Sequence, residues 1–124
     1  MIAGIGIDLI EVARVEEKIL KEIGFREYVF SQAEINYCIS TAHPGEHYAA
    51  RFAAKEAFLK ALGTGWKNGI SFHEIEVINN EEGKPLLHLS GNTDLIFKEN
   101  KFTNIFLSIS HLKSVAAAVV ILEM

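Results

Sequence analysis

The sequence predicts an α+β fold, a mostly antiparallel sheet with helices packed on it. Three observations carry this. The chain opens on a short β-branched run, its middle third is helical in period, and beyond residue 71 apolar residues alternate with polar ones or form strand-length runs. The resulting order is strand, helices, hairpin, helix, hairpin, with helices segregated from antiparallel strands.

Ile2–Ile10 reads as a buried strand, β-branched and carrying Gly4 and Gly6. Glu11–Ile23 is helical in character and stops at Gly24, a residue suited to ending a helix. Phe25–Phe30 leads into Ser31, and Glu34 three residues on completes a capping box. That box predicts a helix over Gln32–Ser40. Thr41–Gly45 holds Pro44 and predicts a turn, and Glu46–Leu62 is the strongest helix, ended by Gly63-Thr64-Gly65. Phe72–Asn79 alternates as a half-buried strand, Asn80–Pro85 is a hairpin turn, and Leu86–Leu89 returns. Asn92–Asn100 is a short helix capped by Asn92 or Thr93. Ile105–His111 and Val115–Leu122 form a final hairpin about Leu112–Ser114.

A length of 124 residues predicts one domain, 1–124, and 49% hydrophobic with 23% charged residues is an ordinary globular mix rather than a disordered one. The net charge of −4 leaves no overall basic footprint for nucleic acid, so an anionic ligand must meet local cations or a metal. The single cysteine, Cys38, forms no internal disulfide and suits the reducing cytoplasm. Met1–Asp8 lacks the basic start of a signal peptide. Val115–Leu122 falls well short of the roughly 20 apolar residues of a membrane span, so no membrane partner is expected.

Four constellations are able to carry chemistry. Asp8 ends the apolar strand after Gly4-Ile5-Gly6-Ile7, where a carboxylate suits a hard cation or a base, or simply caps the next helix. In Arg51–Gly63, Ala53, Ala54, Ala57, Phe58 and Ala61 share an apolar arc, while Glu56 and Lys60 lie one turn apart on another face. That spacing equally describes a surface ion pair. Arg51 and Lys55 form a separate basic pair. The alanines let this helix approach a sheet or a neighbouring subunit closely. In Ser108-Ile109-Ser110-His111 the serines share a face able to donate to an anion, but Ser110 and His111 point opposite ways and make no dyad. Arg14, Lys18 and Lys21 align on one face of the first helix, either solvated or fit to dock an acidic protein. His43 and His47, interrupted by Pro44-Gly45, are expected on the surface, as are His73 and His88, and zinc is not expected.

Gly4-Ile5-Gly6-Ile7-Asp8, the run Arg51-Phe52-Ala53-Ala54-Lys55-Glu56-Ala57-Phe58-Leu59-Lys60-Ala61-Leu62-Gly63-Thr64-Gly65, and Ser108-Ile109-Ser110-His111 together resemble the holo-acyl-carrier-protein synthase family in order, separation and total length. The resemblance spans nearly the whole chain, and its central motif is long and specific. It implies the 4′-phosphopantetheinyl transferase fold, a cytoplasmic homotrimer with active sites at subunit interfaces, and transfer of 4′-phosphopantetheine from coenzyme A to a serine of apo-acyl carrier protein. Adenosine 3′,5′-bisphosphate is the implied second product. The implied catalytic residues are Asp8, Glu56 and Lys60, with Asp8 and Glu56 holding Mg²⁺. Arg51, Lys60, Gly63, Gly65, Pro85, Ser110 and His111 are the implied coenzyme A contacts, Ser110 and His111 coming from a neighbouring subunit. Arg14, Lys18 and Lys21 lie on the helix that would hold the carrier. Leu112 stands where many relatives carry an acidic residue, and Trp66 and Lys67 are not assigned by the pattern. Two alternatives share these residues: a Mg²⁺-dependent diphosphate hydrolase, and a non-catalytic coenzyme A or carrier-binding module.

Overall fold

Residues 1–63 and 69–124 are described in the computed structural model. The elements run β1 (Ile2–Glu11), α1 (Val12–Lys21), α2 (Phe25–Val29), α3 (Gln32–Ile39), α4 (Pro44–Leu62), β2 (Ile75–Asn79), β3 (Pro85–Leu89), α5 (Gly91–Glu99), β4 (Asn104–His111) and β5 (Val115–Glu123). Two antiparallel sheets form among the described residues, β1-β5-β4 and β2-β3.

α4 organises the molecule. It packs on β1 and β5 on one side and on α1 and α3 on others, so Ala49, Ala53, Ala54, Ala57 and Phe58 are all fully buried. A helix enclosed this way loses the polar stripe of a surface helix. The close approach needs Gly4 and Gly6. A Cβ on Gly4 would run into the carbonyl oxygen of Ala61, and one on Gly6 into that of Ala57. These two glycines are what lets the backbone of α4 come this close to β1.

β1 differs from the buried strand expected. Its inner face, Gly4, Gly6, Asp8 and Ile10, turns to α4, but Ile5, Ile7 and Leu9 are 62%, 66% and 70% exposed. The register aligns Ile5, Ile121 and Phe106 in one outward row, Ile7, Val119 and Ser108 in the next, and Leu9, Ala117 and Ser110 in a third. The strand's uniform apolarity marks two apolar faces, of which this chain covers one.

A second device joins the helices to the smaller sheet. Lys55 is fully buried and donates to Glu34 Oε1 at 2.7 Å and to the carbonyls of Phe72 and Ile75 at 2.9 and 2.6 Å. Glu34 also accepts from the Ser31 and Val77 amides, the first closing the expected capping box. Burial pulls the Lys55 pKa below the ordinary lysine range, with Glu34 opposing. Arg51 and Lys55 are therefore not a shared basic pair: each serves a different wall of α4. Cys38, on α3, is buried with no disulfide, and burial pushes its thiol up to about 11.

Element boundaries shift for local reasons. α4 starts at Pro44 rather than Glu46, because proline at the first helical position lacks only an amide that would be unpaired there. α1 ends at Lys21, and the left-handed Gly24, φ 83°, turns the chain into α2, a helix that the sequence left as a connection. Phe72–Glu74 is a 3₁₀ turn, so the strand begins at Ile75. α5 is not capped by Asn92 or Thr93. Glu74, from that 3₁₀ turn, accepts from both of their amides and from the Thr93 hydroxyl. Among the described residues no helix is long and apolar enough to cross a membrane.

Candidate active site at two edges of the sheet

Asp8 projects from the inner face of β1 toward α4, its side chain 15% exposed. Lys60, in the last turn of α4, donates to Asp8 Oδ1 at 2.9 Å and to the Ile7 carbonyl at 3.0 Å. The ion pair formed is thus with Asp8 rather than the i,i+4 pair with Glu56. Glu56 is half-buried one turn earlier, its pKa raised first by burial and then by the nearby Asp8 charge, with Lys60 and Lys18 opposing. Glu56, raised despite both lysines, sits where more positive charge would stabilise its ionised form.

No group of three or more histidine, cysteine, aspartate or glutamate side chains that could hold a metal forms among the described residues. The donor set suits Mg²⁺ nevertheless. That ion takes one or two carboxylates, keeps several waters and completes its shell with substrate phosphate oxygens.

Glu56 lies on the wall of an open cleft of about 600 Å³, shared with Lys18, Phe25, Tyr28, Phe52 and Phe72. The rings of Phe25 and Phe72 flank Phe52 at 6.0 and 5.7 Å, and Lys18 sits 5.5 Å over Phe25. Lys18 also lines a groove of about 240 Å³ with Arg14, Glu17, Lys21 and Glu22. The basic stripe therefore runs into the cleft that holds Glu56, although Lys21 is engaged by Glu17 at 3.0 Å. The apolar wall was missed in the sequence. The i,i+4 spacing of Phe52 and Glu56 was its only local signal.

The remaining candidates lie elsewhere. Arg51, Pro85 and His111 line a second cleft of about 200 Å³ with Tyr37, His47 and Gly83. His111 faces inward from β4, its Nδ1 3.0 Å from Glu46 Oε1. Asp8 and His111 occupy opposite edge strands, which lie two strand spacings or about 10 Å apart, and are offset by two residues along them. Ser110 is on the outer face, in the row of Leu9 and Ala117, and does not join His111. Gly63 ends α4 in the left-handed conformation, φ 80°. Gly65, Trp66 and Lys67 lie outside the described residues. His47, expected on the surface, is half-buried on α4. Its ring meets those of His111 and Tyr37 edge-on, with centroids 5.1 and 5.6 Å away.

The description of the 4′-phosphopantetheinyl transferase superfamily matches residues 4–120. The chain belongs to that superfamily. It is 48% identical to the holo-[acyl-carrier-protein] synthase of Syntrophus aciditrophicus over 99% of this chain and 97% of that protein. It is 46% identical to the synthase of a Geobacter species over 99% of both chains. The solved synthase of Neisseria meningitidis superposes with a TM-score of 0.91 at 30% identity over the full length of each. That of Bacillus anthracis, in complex with coenzyme A (3′,5′-ADP), superposes at 0.81 and 42% identity over 99% and 97%. The family resemblance and the α+β fold read from the sequence both hold.

Proposed function

We propose that this superfamily member transfers the 4′-phosphopantetheine arm of coenzyme A to a serine of apo-acyl carrier protein. The carrying observation is Glu56. It is a carboxylate with a raised pKa, beside Asp8 and Lys60, on the wall of a cleft that a basic helix face enters. Full-length relatives are holo-[acyl-carrier-protein] synthases, which supports this substrate pair.

In the reaction, the serine oxygen bonds to the phosphorus that carries pantetheine. The bond from that phosphorus to the bridging oxygen breaks, and adenosine 3′,5′-bisphosphate leaves with the electron pair. Asp8 and Glu56 would hold Mg²⁺, which when bound neutralises charge on the diphosphate. Glu56, its proton affinity already raised, takes the serine proton directly or through a water. Lys60 is positioned beside Asp8 to offset charge on the departing oxygen. The Phe25, Phe52 and Phe72 wall excludes water from this side. Arg14, Lys18 and Lys21 orient the acidic carrier, an attraction that salt weakens. Arg51, Gly63, Gly65, Pro85, Ser110 and His111 hold the nucleotide end.

The active form is a homotrimer with shared sites, and the 124 residues act as one cytoplasmic domain. Two observations support the assembly. The outer face of β1-β5-β4 exposes Ile5, Ile7, Leu9 and Phe106 together, the kind of contiguous apolar patch that marks an interface. The two halves of the site also lie at opposite sheet edges of one chain, so a neighbouring copy is needed to bring a carboxylate edge to a nucleotide edge.

Intact-mass spectrometry tests the reaction. Apo-acyl carrier protein incubated with this protein, coenzyme A and Mg²⁺ should gain one phosphopantetheine, and both chelation and Asp8→Ala should abolish the gain. Coenzyme A consumed with an unlabelled carrier would instead make the protein a hydrolase. Coenzyme A bound without turnover would make it a binding module.

A further inference from the structure

The three cations that share one face of α1 are not equivalent. Arg14 forms no ion pair among the described residues. Lys18 turns toward the cleft of Glu56, its ammonium 5.5 Å over the Phe25 ring. Lys21 is held by Glu17 at 3.0 Å, with both side chains more than half exposed. Glutamate one turn before lysine is the favourable order for such a pair on a helix. All three cations line one groove of about 240 Å³, and Glu17 and Glu22 line it with them. Lys21 thus shares its groove with two carboxylates, one already bound to it. An exposed ion pair exchanges one partner for another at almost no net gain. A carboxylate arriving at Lys21 would replace Glu17 and leave it unpaired close by, where like charges repel. One incoming carboxylate therefore gains nothing at Lys21, whereas two adjacent ones outweigh Glu17.

We propose that Glu17 is a specificity-determining residue of carrier docking, an internal rival that yields Lys21 only to a carrier bringing paired carboxylates to that end of α1. This rests on the carrier reading above. Arg14 and Lys18 give the face its general attraction to acidic proteins. Lys21 then adds a contact that a sparsely charged surface does not obtain. Discrimination of this kind comes from a repulsive group as much as from attractive ones.

The test measures the KM of apo-acyl carrier protein by intact mass at saturating coenzyme A and Mg²⁺. Glu17→Gln keeps the side chain's length and should lower the carrier KM about two- to fivefold, the scale of one exposed ion pair, without the same change in the KM of coenzyme A. High salt should shrink that gain. Glu99→Gln makes the same charge change at an exposed position on α5 and should leave the carrier KM as it is. Lys21→Ala should raise the carrier KM in both backgrounds, and severalfold more where residue 17 is glutamine. Against carrier variants that each have one surface carboxylate neutralised, wild type should discriminate more sharply than Glu17→Gln. A carrier KM that rises or holds in Glu17→Gln, or an equal cost of Lys21→Ala in both backgrounds, would overturn the inference while leaving the transferase reading intact. Wild-type protein that modifies no apo-carrier would overturn both.

Discussion

Glu56 is placed at a thermodynamic disadvantage. Burial and Asp8 raise its pKa, so its ionised form costs stability that its protonated form does not. Two outcomes follow from one substitution. Glu56→Gln should lower kcat by about 10²–10⁴, as loss of a general base does, while its melting temperature stays at or above that of wild type. A parallel fall in both would assign Glu56 to the scaffold. In wild type, kcat/KM should decline as the pH drops through a value above the ordinary glutamate pKa of about 4.3. Lys55, the next residue, should behave in the opposite way. Lys55→Met strands the buried Glu34 and the carbonyls of Phe72 and Ile75. Breaking a buried pair costs about 3–5 kcal/mol, read as a lower urea midpoint. Adjacent letters in one motif thus divide between scaffold and site. Sequence placed Glu56 in the site but paired Lys55 with Arg51, because the partners of each come from α3 and the 3₁₀ turn, far away in the chain.

Among the elements, β1 and α4 form one unit. Gly6→Ala should destabilise by about 1–3 kcal/mol or more, the cost of forcing atoms into a packed interface, and should also disturb Asp8 two residues on. Chemical denaturation and Mg²⁺-dependent activity should fall together, and an unchanged denaturation midpoint would refute the close contact. The strands, the long helix and the capping box at Ser31 were legible because each follows from local period and end chemistry. α2 and the support of α5 by Glu74 were not, since one depends on a left-handed glycine turn and the other on a residue 18 and 19 positions upstream of its partners. The site shows the same division. Asp8, Glu56 and Lys60 were grouped by the family resemblance of their motifs, residue chemistry alone leaving a helix cap and a surface ion pair open, whereas Phe25, Phe72, Tyr37 and His47 acquire meaning only when separate elements converge.

For the molecule as a whole, the outer sheet face is the broadest feature bearing on assembly, with Ile5, Ile7, Leu9 and Phe106 exposed together. Ile7→Asp puts a charge at its centre, opposite Val119 and in the row of Ser108. Sedimentation should show a smaller species with an unchanged circular dichroism spectrum and little transferase activity. An unchanged sedimentation coefficient would remove the face from assembly. The apolar run of β1 was plain in the sequence, but its uniformity does not say which side a chain covers by itself. Cys38 offers a way to watch the molecule open. As a sole, sealed thiol of high pKa, it is shielded from alkylating reagents until the packing about α3 comes apart. The rate of its modification is then a clock for conformational opening, read without introducing any label, and ligands or subunit contacts that hold α3 in place should slow it.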